Sequence, residues 1–316
     1  MKKILKDLLV VSLLTGISTA SAFENENQKQ LNNDKKVWIS IGNDAVKMIN
    51  NSQNKPFNFS NVQPKQSVVR SSEIQATNAH NHAINIVSID ESQLSNLSEF
   101  MHKNFKRCGG YIFHDSLEKA QQYMEKIASA PQIMTTYTID NPDGVHSLLN
   151  QLSSANLTTT VDTLSNHNNR YYTSSTGEAS ANWLKTHWTA ISDARSDINV
   201  ELYNHTWQQP SVIATITGTT NSNEVVIVGG HLDSINLSDP SNGRSPGSDD
   251  NASGISVVTE TLRAIVASGF KPKRTIKFIG YAAEEVGLRG SKAIAQDYNN
   301  QGMNIVGVAQ FDMVGY

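Results

Sequence analysis

The sequence predicts an α/β protein with a mainly parallel or mixed central sheet, helices on both faces of that sheet, and a small α+β unit in front of it. Beyond Val212, strand-like and helix-like segments alternate, which is typical of crossover connections between parallel strands. The segment Glu224–Gly230 is also continuously rich in β-branched residues, as expected of a strand buried on both faces.

The N-terminus has the form of a secretory signal peptide. A pair of lysines and the apolar run Leu8–Leu14 precede Ala20-Ser21-Ala22, which is an A-x-A cleavage site. No later apolar run is long enough to cross a membrane. We therefore expect Met1–Ala22 to be removed and the product to be secreted, with no membrane attachment after cleavage.

Charge and cysteine content narrow the choice of partners and of stabilising bonds. The formal net charge of −3 argues against a nucleic-acid partner, which favours a basic surface. Cys108 is the one cysteine of the sequence, so an intrachain disulfide is excluded. The protein must then depend on a hydrophobic core or on metal.

The first half predicts the α+β unit. Phe23 to about Lys65 is rich in polar residues and is predicted to be weakly structured. A strand is predicted over Ile84–Ile89, and a helix then runs through Phe105, opened by a capping box of Asp90 and Gln93. A second helix is predicted over residues 116–128.

The second half predicts the elements of the sheet and its helices. Trp183 and Trp188 lie among apolar neighbours and are predicted to be core residues. Ser253 is predicted to cap the helix that follows it. The predicted helices are Val145–Leu152, Ala179–Ile191, Gly254–Ala267 and Ser291–Asn299, and the later strands are Arg274–Gly280 and Asn304–Phe311.

Polar residues follow three of the predicted strands at the point where each strand ends. Such positions converge at one edge of an α/β sheet, where ligands bind. Each residue alone has an ordinary explanation as a loop, surface or capping residue, but their joint occurrence predicts a site for one or two divalent cations, which would offset the repulsion of the carboxylates. The residues concerned are His231 and Asp233, the pair Glu284-Glu285, Asp312, and the Asp249-Asp250 pair before a helix.

The spacing of these residues suits metal-assisted chemistry. Residues two apart in an extended chain share a face, so Asp233 can lie beside His231 and orient its imidazole as a metal ligand. Glu284 and Glu285 are adjacent and therefore point in different directions. One can bind metal while the other acts as a general base.

Four motifs then resemble a known family. GGHLDS, PGSDDNASG, YAAEEVGLRGS and QFDM occur in this order and are similar to motifs of the secreted bacterial leucyl aminopeptidases, members of the co-catalytic dizinc exopeptidases. The resemblance spans about Ser147 to Tyr316 and implies the zinc exopeptidase fold. It implies one zinc held by His231 and Asp312, a second held by Glu285, Asp250 as the bridge between them, Glu284 as general base, and Asp233 behind His231.

The resemblance implies a secreted metallo-aminopeptidase that uses two zinc ions. Its substrates would be peptides with a free, apolar, leucine-like N-terminal residue, and the protein would be a monomer. The ligand types also suit manganese or cobalt. Two alternatives on the same fold remain open: a glutaminyl-cyclase-like enzyme and a non-catalytic binding module.

The resemblance also implies the domain organisation. Residues 1–22 would be the signal peptide, 23–131 a cleavable propeptide that includes Cys108, and 132–316 the catalytic domain. The family takes its last zinc ligand, a histidine, from a segment beyond Tyr316, so we expect the chain to be C-terminally truncated and, when it ends at Tyr316, to be inactive as an aminopeptidase. His167 and His187 are interpreted as surface or core residues and not as substitutes for that ligand.

Overall fold

The structure is a computed structural model that describes residues 35–52, 57–60, 83–105, 110–129 and 140–315. The predicted signal peptide, Cys108, the predicted boundary at residue 131 and Tyr316 lie outside these ranges. The prediction of their roles is therefore not tested by the coordinates.

The N-terminal part forms a three-stranded antiparallel sheet with three helices. Strand β1 (Lys36–Gly42) lies between β2 (Ile84–Asp90) and β3 (Tyr111–His114). Helices α1 (Asn43–Asn51) and α2 (Leu94–Phe105) pack into one core with the sheet, and α3 (Leu117–Ser129) contributes to a second, smaller core. This is the α+β unit that the sequence predicts.

The prediction of a weakly structured segment up to Lys65 is wrong for β1 and α1. The strand KVWISIG alternates, and Val37, Ile39 and Ile41 are all buried. These side chains pack with Leu97 and Met101 of α2, which lie far along the chain. The polar composition of the surrounding sequence gives no sign of β1, because the strand is stabilised by packing against the distant helix α2.

The second part forms a five-stranded mixed sheet in the order β4-β5-β7-β6-β8. Strand β6 is parallel to β7 and to β8, whereas the pairs β4–β5 and β5–β7 are antiparallel. The strands are β4 (Ile198–Tyr203), β5 (Ser211–Ile216), β6 (Asn221–His231), β7 (Arg274–Tyr281) and β8 (Asn304–Gln310). The helices are α4 (Pro142–Leu149), α5 (Ser154–Ser165), α6 (Ser175–Ser192), α7 (Gly254–Ala267) and α8 (Arg289–Asn300).

Helices cover both faces of this sheet. On one face α5, α6 and α7 pack around Trp188 and Phe278, and the Trp188 indole donates a hydrogen bond of 2.9 Å to the Thr259 hydroxyl. On the other face Ile294 and Tyr298 of α8 pack against β5, β6 and β7. The predicted fold class, a mixed α/β sheet between helices, is confirmed.

Two predicted helix caps are wrong. Ser253 has a helical backbone, and its hydroxyl donates to the Asp249 carbonyl; the Asn251 side chain instead accepts from the Gly254 amide at 2.9 Å. Asp90 makes no side-chain cap, because a short 3₁₀ turn precedes α2 and the Gln93 side chain accepts a hydrogen bond from Asn96. Helix α5 and strand β4 were not predicted.

None of the helices in the described ranges has both the length and the apolar character required to span a bilayer.

Candidate metal centre and active site

His231 is the last residue of β6 and lies at the centre of the site. Its imidazole is fully buried, and its Nε2 atom lies 2.9 Å from an Asp250 carboxylate oxygen and 3.3 Å from one of Asp312. Strands β6, β7 and β8 are parallel, so their carboxyl ends meet at one edge of the sheet. The predicted convergence of these three residues is therefore present.

Asp233 connects the ends of β6 and β7. Its two carboxylate oxygens accept hydrogen bonds from the backbone amides of Glu284 and Glu285, at 2.9 and 3.0 Å. The His231 Nδ1 atom lies 3.1 Å from the Asp233 carbonyl oxygen and 3.4 Å from its carboxylate. Asp233 therefore stands beside His231 as predicted, and in addition it orients the backbone that carries both glutamates.

Glu284 and Glu285 are buried carboxyl groups with unsatisfied oxygens. The Oε2 atom of each accepts no hydrogen bond among the described residues. Burial, together with the neighbouring acidic groups, raises the pKa of Glu284 to about 8 and raises the pKa of Glu285 well above its ordinary value. Ionising two buried carboxyl groups side by side costs free energy, and a bound cation would offset that cost.

The charge state of His231 supports the same conclusion. Burial alone lowers the pKa of an imidazole, but the contacts with Asp233, Asp250 and Asp312 outweigh burial and raise the pKa of His231 well above its ordinary value. The acidic surroundings thus favour positive charge at the position of the His231 ring. A metal ion would supply that charge and leave the imidazole neutral and able to bind it.

Two groups of side chains can each hold a metal ion. In each group the ligand atoms lie within 4.8 Å of one another, and Asp250 belongs to both. Imidazole nitrogen with carboxylate oxygens is a ligand set that suits zinc. The residues therefore fit the two zinc ions that the family resemblance implies. The groups are His231, Asp250 and Asp312, and His102, Asp250 and Glu285.

His102 was not among the predicted site residues. It belongs to α2 of the N-terminal unit, and its Nε2 atom lies 3.5 Å from a Glu285 carboxylate oxygen. Local sequence offers no signal for this contact, since His102 and Glu285 are far apart along the chain. His167 and His187 belong to neither ligand group; the His187 ring stacks on Trp183, in agreement with its interpretation as a structural residue.

Arg170 is a second residue that sequence reasoning missed. It is fully buried, and its guanidinium donates hydrogen bonds to the carbonyls of Leu232 and Gly247, at 2.7 and 2.9 Å. Gly247 has a left-handed backbone with φ of 51°, and a Cβ there would lie 2.6 Å from the guanidinium. Arg170 thus connects the loop before Asp250 to the segment after His231. In the sequence, the only sign of such a role is that Arg170 belongs to the segment NRYYTSSTG, which lies within the stretch that resembles the aminopeptidase family.

Part of the chain matches a known peptidase family. Residues 211–316 match peptidase family M28. The matched stretch contains every predicted metal ligand and both predicted catalytic residues, and it indicates a peptidase, that is, a hydrolase.

Curated relatives carry leucine aminopeptidase names. The chain is 40% identical over 195 residues to the probable leucine aminopeptidase 1 of Trichophyton verrucosum, covering 59% of this chain and 52% of the relative. It is 37% identical over 216 residues to leucine aminopeptidase 1 of Arthroderma gypseum, covering 66% of this chain and 57% of the relative. The chain thus spans little more than half the length of these relatives.

Two solved structures share the fold. LapB from Legionella pneumophila superposes with a TM-score of 0.66 at 26% identity, covering 89% of this chain and 71% of LapB. The LapA aminopeptidase of the same organism gives a TM-score of 0.63 at 24% identity, covering 90% of this chain and 71% of LapA. Both likenesses extend well beyond the stretch that matches the peptidase family.

Proposed function

We propose that this protein is a secreted metallo-aminopeptidase that removes the N-terminal residue of peptides and prefers apolar, leucine-like residues. The observation that carries the proposal is the convergence of His231, Asp250, Asp312 and Glu285 at one sheet edge, with the Glu284 carboxyl group beside them. The leucine aminopeptidase names of the fungal relatives support the activity and the side-chain preference.

Each acidic residue of the site has a proposed role. His231 and Asp312 would hold one zinc ion, Glu285 would hold another, and Asp250 would contact both. Asp233 would position His231 and the two glutamates. Bound zinc would polarise the scissile carbonyl and lower the pKa of an attacking water.

Glu284 would move the proton. Its carboxyl group is buried and faces the same cavity as His231 and Asp312. The raised pKa of Glu284 would fall next to a divalent cation, so that the group is ionised at neutral pH. It would then accept the proton of the attacking water and deliver it to the amine that leaves.

The cavity next to Glu284 supports an apolar preference. With the N-terminal unit in place, where Ile112 and Tyr123 complete the walls, its volume is about 870 Å³. The walls that belong to the proposed catalytic domain include Ile227, Tyr281 and Leu288. These side chains offer an apolar surface within reach of the proposed reacting groups. A leucine side chain would bury its methyl groups there, whereas a charged side chain would lose its hydration.

We further propose that the protein is exported by the signal peptide 1–22 and is a monomeric zymogen, in which residues 23–131 are a propeptide and residues from 132 onward form the catalytic domain. Support comes from the A-x-A site and from the separate core of the N-terminal unit. That unit also lies against Glu285, as described below.

Hydrolysis of leucine p-nitroanilide by the full-length protein, freed of residues 23–131, tests the proposal. We expect turnover that a chelator abolishes and zinc restores, and no turnover of the N-acetylated substrate, which lacks a free amine. Cyclisation of an N-terminal glutamine without hydrolysis would instead show a glutaminyl-cyclase-like enzyme. Zinc-loaded protein with neither activity would contradict the proposal.

A further inference from the structure

Helix α2 presents a histidine to the predicted second metal site. The His102 Nε2 atom lies 3.5 Å from the Oε2 atom of Glu285, and the ligand atoms of His102, Glu285 and Asp250 all lie within 4.8 Å of one another. This spacing is too long for a good hydrogen bond, yet it is short enough for three side chains to share one cation.

The position of His102 is fixed by packing. Leu97 and Met101, on the same helix, are fully buried in the core of the N-terminal unit. Ser98, one helical turn before His102, donates a hydrogen bond of 2.6 Å from its hydroxyl to the Glu285 carbonyl. Residues four apart share a helix face. The hydrogen bond from Ser98 to the Glu285 carbonyl therefore also places His102 next to the Glu285 carboxylate.

Other contacts hold the same two parts of the chain together. The Arg289 guanidinium lies 2.6 Å from the Glu91 carboxylate and 3.8 Å from the centre of the Phe113 ring. The Phe113 amide donates to the Gly287 carbonyl at 3.0 Å. The loop that carries Glu284 and Glu285 is therefore held by the N-terminal unit from two sides.

The facing atoms of His102 and Glu285 lack ordinary partners. Both the His102 Nε2 atom and the Glu285 Oε2 atom are buried and make no hydrogen bond to any described residue. The Glu285 side chain is only 2% exposed, so bulk water does not reach its carboxylate. A buried polar atom without a partner costs free energy, and one cation between these atoms would satisfy both.

We propose that His102 is a ligand of the second metal ion in the unprocessed protein, beside Asp250 and Glu285. The inference rests on the metal centre of the proposed function and adds to it a ligand from the N-terminal unit. A zinc site ordinarily takes three protein ligands, so in the unprocessed protein His102 would take the place for which the family resemblance implies a histidine from beyond Tyr316. The N-terminal unit then covers the metal centre through a metal–imidazole bond, and its removal exposes the position that His102 occupied.

Metal binding by the unprocessed protein tests this assignment without any measurement of activity. Zinc affinity is measured by competition with a chromophoric chelator for wild type, His102→Ala and the matched control His146→Ala, which replaces an exposed histidine of α4. Wild type and His146→Ala should bind two ions. His102→Ala should bind one ion with unchanged affinity and the other at least about tenfold more weakly.

A rescue variant separates loss of a ligand from loss of structure. In a Cys108→Ser background, His102→Cys restores a zinc ligand, and its cobalt form should show a thiolate-to-cobalt absorption band in the near ultraviolet. Tight binding of both ions by His102→Ala, or a cobalt-loaded His102→Cys variant without the band, would overturn the assignment. Wild type that binds no metal at all would contradict the proposed function as well.

Discussion

At the scale of single residues, the site depends on side chains that hold backbone as much as on those that face the cavity. Asp233 accepts hydrogen bonds from two consecutive amides, those of Glu284 and Glu285, and also stands beside His231. The Arg170 guanidinium donates hydrogen bonds to the carbonyls of Leu232 and Gly247, which lie at the two ends of the loop before Asp250. Substitutions at such positions should therefore affect stability and metal affinity together.

Asp233→Asn should loosen the connection between the ends of β6 and β7. The amide side chain has one acceptor oxygen where the carboxylate has two, so one of the buried backbone amides loses its partner. We expect a loss of about 1–3 kcal/mol in the free energy of unfolding and a zinc affinity lower by about 10- to 100-fold. Urea titration with and without zinc measures both effects.

The control for this variant is Asp193→Asn, at an exposed position just after α6. It should behave as wild type in both measurements. Equal zinc affinity for Asp233→Asn and wild type would show that Asp233 does not position the metal ligands.

Glu284→Gln should affect catalysis, whereas Glu285→Gln should affect metal binding. Glu284 is proposed as the general base, so Glu284→Gln should lower kcat by a factor on the order of 10² to 10⁴ and leave the zinc content unchanged. Glu285 is proposed as a ligand, so Glu285→Gln should lose one zinc equivalent. Elemental analysis of purified variants beside steady-state kinetics separates the two. A Glu284→Gln protein that lacks one zinc would mean that the roles are reversed.

At the scale of elements, strand β3 and helix α8 meet through a pair formed by buried His114 and half-buried Lys292. The Lys292 ammonium donates to the Phe113 carbonyl and to the His114 Nδ1 atom, 2.7 Å away. The Ser40 hydroxyl lies 3.0 Å from the other ring nitrogen, and Tyr123 packs against the ring. Burial, reinforced by Lys292, lowers the pKa of His114 to about 3, and burial lowers the pKa of Lys292 to about 8.

This pair should make the fold sensitive to acid. The pKa of His114 is lower in the folded protein than its ordinary value of 6.5, so the unfolded chain binds the proton first. The contribution of His114 to the free energy of unfolding should be complete above pH 6.5 and should decrease as the pH falls from 6.5 towards 3. The pKa of Lys292 is also lower in the folded protein, so its contribution to the free energy of unfolding should be complete above pH 10.5. It should decrease as the pH falls from 10.5 to about 8.

Urea denaturation of wild type and His114→Asn between pH 4 and pH 7 measures the effect. The asparagine oxygen can still accept from Lys292 but does not titrate. The variant should show a smaller decrease in stability over this range. Parallel pH profiles for the two proteins would exclude His114 as the titrating group.

The sequence predicted the elements whose signal is local and missed those that depend on distant contacts. Helix Gly254–Ala267 was predicted with its observed bounds because a regular apolar stripe marks it. The site residues His231, Glu284, Glu285 and Asp312 were found because each lies at or just after the end of a strand. In contrast, β1 is buried by α2, and His102 reaches Glu285 only after the chain has folded. No local pattern encodes such contacts.

At the scale of the whole molecule, the N-terminal unit is packed against the loop of the two glutamates. Ser98, His102 and Phe113 all contact this loop, and Glu91 contacts Arg289 just after it. Glu285 is only 2% exposed while α2 holds this position. We therefore expect the unprocessed protein to be latent.

Limited proteolysis should convert the latent form into the active one. Turnover of leucine p-nitroanilide should rise as the N-terminal unit is lost from the intact mass, and the isolated segment 23–131 should inhibit the processed enzyme when added back. A preparation that retains the segment and is as active as the processed enzyme would exclude latency.

Anomalous diffraction at the zinc edge tests most directly whether His231, Asp250, Asp312 and Glu285 form a two-metal centre. Crystals of the zinc-loaded protein should show one peak bonded to His231, Asp250 and Asp312 and a second bonded to Asp250 and Glu285, with His102 as a further ligand where the N-terminal unit is retained. Data collected just below the edge should lose both peaks, which identifies the metal as zinc. Crystals that hold zinc elsewhere, or that show no peak between His231 and Asp250 at saturating zinc, would contradict the account.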